Sequence, residues 1–201
     1  MNSGATAERV FAVLKRRIMG HEFRPGDHLD PSVLATQLAA SVTPVRDALN
    51  RLTGEGLVET RTGGGFSLPA LDEPRLKDLY GWSAELLLLA IRSWPPSLTP
   101  AAPPPFAETI SIAEQAAAVF LAIGQLSTNS EHARAIERLS ARLHAVREVE
   151  GHILSQLDEE LGPWVHAAAT GDRDSLRRLC QAYHRRRARA AGDIVRAVYR
   201  A

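Results

Sequence analysis

The chain lacks most of the features that announce a chemistry. Cys180 is the single cysteine among 201 residues, which excludes an intramolecular disulfide and a cysteine-based zinc site and fits a reducing compartment. It reads as a buried helix residue rather than a nucleophile. Apolar runs such as Leu86–Ile91 are far shorter than the ~20 residues that cross a bilayer. The first ten residues carry Glu8 and Arg9 and no apolar core followed by a cleavage site, so the expectation is a cytoplasmic protein with no membrane partner. Charge of either sign is not in excess: 24 basic residues face 23 acidic ones, for a net charge of +1. Residues 1–70 alone hold eight against seven. Any nucleic-acid reading must therefore rest on local pattern rather than on a global basic footprint. There is no Gly-rich phosphate loop, no Gly-x-Ser-x-Gly elbow and no His-Glu-x-x-His pair, which argues against an enzyme.

What is present is the composition of a folded protein, 45% hydrophobic and 23% charged, long enough for one large domain or two small ones. Residues 5–20 place Val10, Val13, Leu14, Arg17 and Ile18 at helical spacing with Glu8 in the first turn and Gly20 as a stop, which predicts a first helix. A Pro25-Gly26 turn follows. Leu29 then begins a predicted second helix with Val33, Leu34 and Leu38 on one face. Ser41 is a good N-cap for a third, running from about Thr43 to Thr53, with Pro44 in its first turn where the missing N–H is harmless. Leu57–Thr60 and Phe66–Leu68 alternate on either side of Arg61-Thr62-Gly63-Gly64-Gly65, a hairpin whose tip needs unusual backbone angles. Helix, helix, helix and hairpin make a winged helix-turn-helix over 1–70. After Pro69 the pattern is helical only, predicting an all-α bundle of four to six helices over 71–201, with a Pro-rich connection or ordered loop at 95–105 and later helical stretches at about Phe106 to Ser127, Glu131 to Leu157 and Asp172 to Tyr199. The fold class is mainly α, with a small β-hairpin wing.

In a helix-turn-helix the second helix of the pair enters the major groove with its N-terminal residues at base edges. Here that helix begins with Ser41, Val42 and Thr43, which offer hydroxyls to phosphate and methyls to thymine, and Arg46 lies one turn on. The alternatives are a solvated charge or an ion pair for Arg46 and a plain hairpin turn for Gly63–Gly65. The ordered motifs Arg24-Pro25-Gly26-Asp27-His28-Leu29, Ser41-Val42-Thr43-Pro44-Val45-Arg46-Asp47-Ala48-Leu49 and Leu52-Thr53-Gly54-Glu55-Gly56-Leu57-Val58, with a glycine wing, resemble the N-terminal domain of GntR-type bacterial transcription regulators. The second part resembles the FadR-type (FCD) effector-binding and dimerisation domain. The resemblance implies a homodimeric, ligand-responsive regulator, expected to be a repressor, on a near-palindromic double-stranded DNA operator. The DNA contacts it implies are Ser32, Ser41, Val42, Thr43, Pro44, Arg46, Thr62, Gly63 and Gly64. Val42 and Ser32 stand where the family has arginines, so the site read should lean on thymine-methyl and phosphate contacts. The linker at Pro69–Pro74 is the expected transmission point.

Domains of the second type commonly hold a metal through an Asp and three His, the first two spaced Asp-x-x-x-His before a Ser-Gly-Asn-like turn. Ser127-Thr128-Asn129 resembles that turn. Counting from it puts Ala116, Phe120 and Leu161 at three ligand positions, and only His184 falls near the fourth. Losing three of four ligands leaves no closed site, so a metal-free member without a cofactor is expected. A different site using His144, His152, His166 or His184 stays open: His144, Glu148 and His152 fall at i, i+4 and i+8. Residues eight apart span ~12 Å along a helix and cannot share one ion, which favours a polar face. Phe106, Ile110, Ile112, Val119, Phe120, Leu121, Ile123, Leu139, Leu143, Val146, Trp164 and Leu179 line a cavity or form plain core. Without a metal an apolar or amphipathic effector fits best. Arg177-Arg178 and Arg185–Arg187 with Arg189 could hold an anionic effector, anchor a dimer or form a solvated face. The competing readings are an effector-blind DNA binder and, more remotely, a metal-dependent hydrolase in the bundle.

Overall fold

A computed structural model describes residues 3–20, 22–96 and 110–200. The chain divides into two units, Met1–Leu71 and Asp72–Ala201. In the first, α1 (Ser3–Met19) and α2 (Pro31–Gln37) pack on α3 (Val42–Gly54). Val10, Leu14, Leu34, Val45, Leu49 and Leu52 are almost fully buried, each contributing about 1.5–3 kcal/mol of hydrophobic stabilisation. Arg51 lies 3.7 Å above the Phe11 ring and 2.9 Å from Glu8, tying α1 to α3. The strands β1 (His28–Leu29), β2 (Glu59–Thr60) and β3 (Phe66–Ser67) form an antiparallel sheet ordered β1-β3-β2. Leu29 and Thr60 both pair with Phe66.

Several expectations are corrected. The first helix begins two residues earlier than expected, and Glu8 is outside its first turn, engaged instead by Arg51. Leu29 is a strand residue: Asp30 caps α2 through the Ser32 and Val33 amides and Pro31 opens it, so the apolar spacing from Leu29 is coincidental. Val33 is 54% exposed rather than part of the core face. The Pro25-Gly26 turn reaches the same sheet, because Gly26 N–H donates to the Leu68 carbonyl and Leu68 N–H to that of Asp27.

The second unit is helical: α4 (Glu73–Arg92), α5 (Ile112–Gln125), α6 (Ser130–Glu150), α7 (Leu157–Glu160), α8 (Gly162–Thr170) and α9 (Arg173–Val198). α4 packs on α9, α6 and α5, and α5 on α6. Gly124 permits α5 to approach α6 closely, since a Cβ there would sit 2.9 Å from Ile136 Cδ1 and 3.0 Å from Ala133 Cα. Trp94 Nε1–H donates to the Ile123 carbonyl, and Arg173 holds the Trp94 and Pro95 carbonyls.

Pro74 belongs to the first turn of α4, capped by Asp72, so the linker is shorter than Pro69–Pro74. α6 ends at Glu150 rather than near Leu157: after its C-cap Gly151 the chain tightens into a turn, with the His152 N–H on the Val149 carbonyl and the Ile153 N–H on that of Glu150. His152 therefore lies past the helix end, in a turn, and the i, i+4, i+8 helical face does not exist. Apart from Pro95 and Pro96, the Pro-rich connection at 95–105 lies outside the described residues, as does Phe106. Among the described residues no helix is long and apolar enough to cross a membrane.

Candidate nucleic-acid interface and bundle interior

The turn that sets the angle of α3 is built by α2. Its C-terminus closes with the Ala40 N–H on the Ala35 carbonyl and the Ala39 N–H on that of Thr36, a Schellman motif whose central residue must be left-handed. That residue is Ala39, at φ 47. The start of α3 follows at once. Ser41 is its N-cap residue, but its hydroxyl makes no capping bond, contrary to the expected role. Ser41, Thr43 and Arg46 are exposed, while Val42 and Pro44 are half-buried. Val45, Ala48, Leu49 and Leu52 form the buried face. Arg46 has no ion-pair partner among the described residues, unlike Arg51, which is held by Glu8. A helix N-terminus with uncapped amides, flanked by hydroxyls and a cation, suits a phosphate and a base edge.

The wing supplies a second exposed element. Gly63, Gly64 and Gly65 all have positive φ, 103, 97 and 90, angles that cost an L-residue roughly 1–2 kcal/mol each. The Arg61 N–H donates to the Gly65 carbonyl, closing the tip. Nothing lies within 4 Å of where a Cβ would stand at Gly63 or Gly64, so these are open to an approaching strand, whereas Gly65 abuts the His28 ring. Arg61 and Thr62 are exposed beside them. Ser32 is exposed in the first turn of α2, beside Asp30, whose carboxyl is held below the usual carboxylate range by the Ser32 and Val33 amides.

In the bundle, Ala116, Phe120 and Leu161 are buried and offer no metal-ligating atom, so the donor set of the resembled metal centre is not there. Two of the three positions expected to hold histidine ligands do meet: the Phe120 and His184 rings stack with centroids 6.1 Å apart. His184 donates from Nδ1 to the Cys180 carbonyl at 2.8 Å and accepts at Nε2 from Ser83 at 2.9 Å. Burial pushes its pKa down to about 3, so it is neutral. Cys180 is likewise buried, its thiol pushed up to about 12, which leaves no thiolate nucleophile. Elsewhere His144 lies 3.7 Å from Glu148, which accepts a bond from Ser111, while His152 and His166 are exposed. Among the described residues no three His, Cys, Asp or Glu side chains cluster as a metal site. Of the expected cavity residues, Val119, Phe120, Ile123, Leu139, Leu143, Val146 and Trp164 are buried, and Ile110, Ile112, Leu121 and Leu179 partly so.

A buried polar network escaped the sequence pattern. Glu150 accepts from Tyr80 at 2.8 Å and from Arg187 at 2.8 Å, and Arg187 also binds Glu160. Arg187 is 1% exposed and so is no part of a solvated basic face. Arg177 pairs with Asp174 and Arg186 with Glu160, whereas Arg185 and Arg189 line a surface groove with Ile153 and Asp193. Arg147, 2% exposed, lies over the Phe120 ring at 5.2 Å.

The first unit, three helices with a glycine-tipped wing and an exposed, uncapped helix start, defines a winged helix-turn-helix of the class that binds DNA. Residues 6–68 match the family model described as bacterial regulatory proteins, gntR family. The amino-terminal unit is thus a GntR-family DNA-binding domain. The chain is 43% identical over 74 residues to the Nta operon transcriptional regulator of Aminobacter aminovorans, covering 37% of this chain and 35% of that protein. It is 32% identical over 87 residues to the HTH-type transcriptional regulator McbR of Escherichia coli K12, covering 43% and 39%. These alignments span little more than a third of the relatives' own length. The fold of the whole chain is similar to that of a GntR transcriptional regulator from Rhodococcus sp. RHA1, with a TM-score of 0.66 at 17% identity, covering 96% and 99% of the two chains. It is also similar to E. coli McbR/YncC, with a TM-score of 0.61 at 21% identity, covering 92% and 96%.

Proposed function

We propose that the protein is a sequence-specific transcription regulator of the FadR-like type, acting in the cytoplasm as a homodimer on double-stranded DNA, and that it is a repressor whose bundle answers to a small-molecule effector without a metal cofactor. The observation that carries the DNA-binding reading is the start of α3: Ser41 without a capping bond, Thr43 exposed, and Arg46 exposed and without an ion pair among the described residues. In the family's docking mode these residues enter the major groove, and Thr62, Gly63 and Gly64 meet the backbone beside it. Ser32 and Val42 give no guanidinium to guanine, so specificity rests on Arg46, methyl contacts and DNA shape. An effector that prefers the DNA-incompetent arrangement shifts the population by no more than its affinity difference between the two states.

The test is fluorescence anisotropy of the full chain with fragments tiling the DNA upstream of its own gene, at several salt concentrations and with excess competitor. The expected result is competitor-resistant, salt-dependent binding to one fragment, weakened about tenfold by Arg46→Ala. Equal binding to every fragment, abolished by modest salt, contradicts the proposal.

A further inference from the structure

We propose that the solvent-facing groove along the carboxy-terminal part of α9 is a docking site for an acidic amphipathic helix of a partner protein. The groove is continuous: a section of about 580 Å³ beside Arg185 and Arg189 and one of about 310 Å³ beside Arg196 and Arg200 share Ile153 and Asp193. From Ala182 to Ala197 it runs about 22 Å along the helix, or about four turns. That is the length of a short helix and several times that of a small metabolite.

Floor and rim differ in chemistry. The floor is apolar: Ile153 is 39% exposed, and Ala182, Ala190 and Ala197 present methyl groups. The rim is cationic. Arg186 is held by Glu160 and the Ser155 carbonyl, and Arg196 by Asp193. Arg185, Arg189 and Arg200 are exposed and have no ion-pair partner among the described residues. Asp193, the one carboxylate among the described residues that line the groove, is already engaged.

These features choose among occupants. A second copy docked face to face would set Arg185, Arg189 and Arg200 against the same arginines of its mate, which repels. A nucleic-acid strand would satisfy the arginines but leave the floor of Ile153 and alanines without an apolar partner. An amphipathic helix answers both. Its apolar side chains at i, i+4 and i+7 cover Ile153 and the alanines, whose small size lets the helix come close. Glutamates or aspartates on its flanks reach the free guanidiniums in charge-assisted pairs. Arginine beside exposed apolar surface also matches the composition of protein interfaces. This surface serves a partner other than DNA, and the inference does not depend on the DNA-binding reading.

The experiment is fluorescence anisotropy of three labelled eighteen-residue synthetic peptides with the full chain, at low and physiological salt. The first carries leucines at i, i+4, i+7 and i+11 flanked by glutamates. The second replaces the glutamates by lysines, and the third shuffles the first so that leucines fall on every side of the helix. The first should bind about tenfold tighter than either control, and less tightly as salt rises. Arg185→Glu combined with Arg189→Glu should weaken it about tenfold or more. Ile153→Ser should weaken it severalfold at either salt concentration, whereas Arg46→Ala should leave it unchanged. Arg185, Arg189 and Ile153 are exposed, so tryptophan-detected unfolding should keep its midpoint in these variants.

Four results overturn the inference. No preference for the acidic amphipathic peptide removes the recognition, and parent-like binding by the doubly substituted arginine variant removes its site. A change of oligomeric state in Ile153→Ser, read by sedimentation velocity, assigns the face to a contact between copies of this chain. A scrambled DNA duplex that loses affinity for the arginine variant, while the acidic peptide binds neither protein, assigns it to nucleic acid. Operator binding is read separately: its absence in a parent that binds the acidic peptide counts against the regulator reading alone.

Discussion

Replacing Ala39 by glycine should stabilise the helix-turn-helix. Two helices of the first unit end in the same Schellman closure. At the end of α3 the left-handed position is Gly56, φ 74, with its N–H on the Thr53 carbonyl and the Leu57 N–H on that of Leu52. At the end of α2 the same position is Ala39, φ 47. A left-handed L-residue costs roughly 1–2 kcal/mol. Ala39 is exposed, so its methyl returns little by packing. Glycine removes the strain but enlarges the unfolded ensemble by about 0.4–1 kcal/mol. The net gain is about 0.5–1 kcal/mol. All three tryptophans lie in the other unit, so fluorescence is blind to this change. Hydrogen exchange of α2 and α3 amides in the full chain reports it: about a two- to fivefold slowing in those that exchange by unfolding of this unit, with α9 unchanged. The reciprocal Gly56→Ala should accelerate exchange. Faster exchange in Ala39→Gly would refute the strain argument.

Glu150→Ala should cost the bundle about 2–4 kcal/mol, because it leaves the buried Arg187 Nε–H and the Tyr80 hydroxyl without their acceptor while Glu160 still pairs with the Arg187 Nη atoms; urea titration by tryptophan fluorescence checks it, and a loss below about 1 kcal/mol would show the pair to be dispensable. His184 has a native pKa near 3, below its ordinary 6.5. The unfolded chain therefore takes up the proton first, and stability falls as pH drops from 6.5 towards 3, by about 2 kcal/mol between pH 6 and pH 4. The difference between the parent and His184→Gln should show that dependence, and parallel pH profiles would count against a buried neutral imidazole. In the wing, Gly64→Val meets no neighbour but must adopt a positive φ, so it should weaken operator binding severalfold while leaving tryptophan-detected unfolding of the bundle unchanged. Unaltered affinity would remove the wing from the interface.

Local signals made the first unit legible. The Pro25-Gly26 turn, Pro44 in a first turn and three consecutive glycines each act through backbone angles that need no partner far away, and those elements stand where the sequence pattern places them. The two-residue β1 is too short for alternation to register, and Leu29 fits both a strand and a helical stripe. Asp30-Pro31, an N-cap followed by a first-turn proline, was the signal that separates the two. The same kind of ambiguity extended α6 too far: Ile153 and Leu157 prolong the helical spacing past Gly151, where the helix stops. Exposure of Ser41, Thr43 and Arg46 followed from periodicity, since Val45, Ala48, Leu49 and Leu52 claim the opposite face. Arg147, Glu150 and Arg187 were not legible. Arginines and glutamates at helical spacing look like a solvated face, and only the packing of α6 and α9 on α4 shows that these three lie inside. Ala39 carries no composition signal either, because alanine in a turn looks like the end of a helix.

The central claim is that the exposed start of α3 reads a DNA sequence. The most direct measurement is the ratio of affinities for the selected upstream fragment and for a scrambled duplex of the same length, at physiological salt, for the parent and for Arg46→Ala. The account predicts a ratio of about a thousandfold or more for the parent, and a loss of about tenfold on the selected fragment for Arg46→Ala. A parent ratio near one, or a ratio that Arg46→Ala leaves untouched, contradicts it.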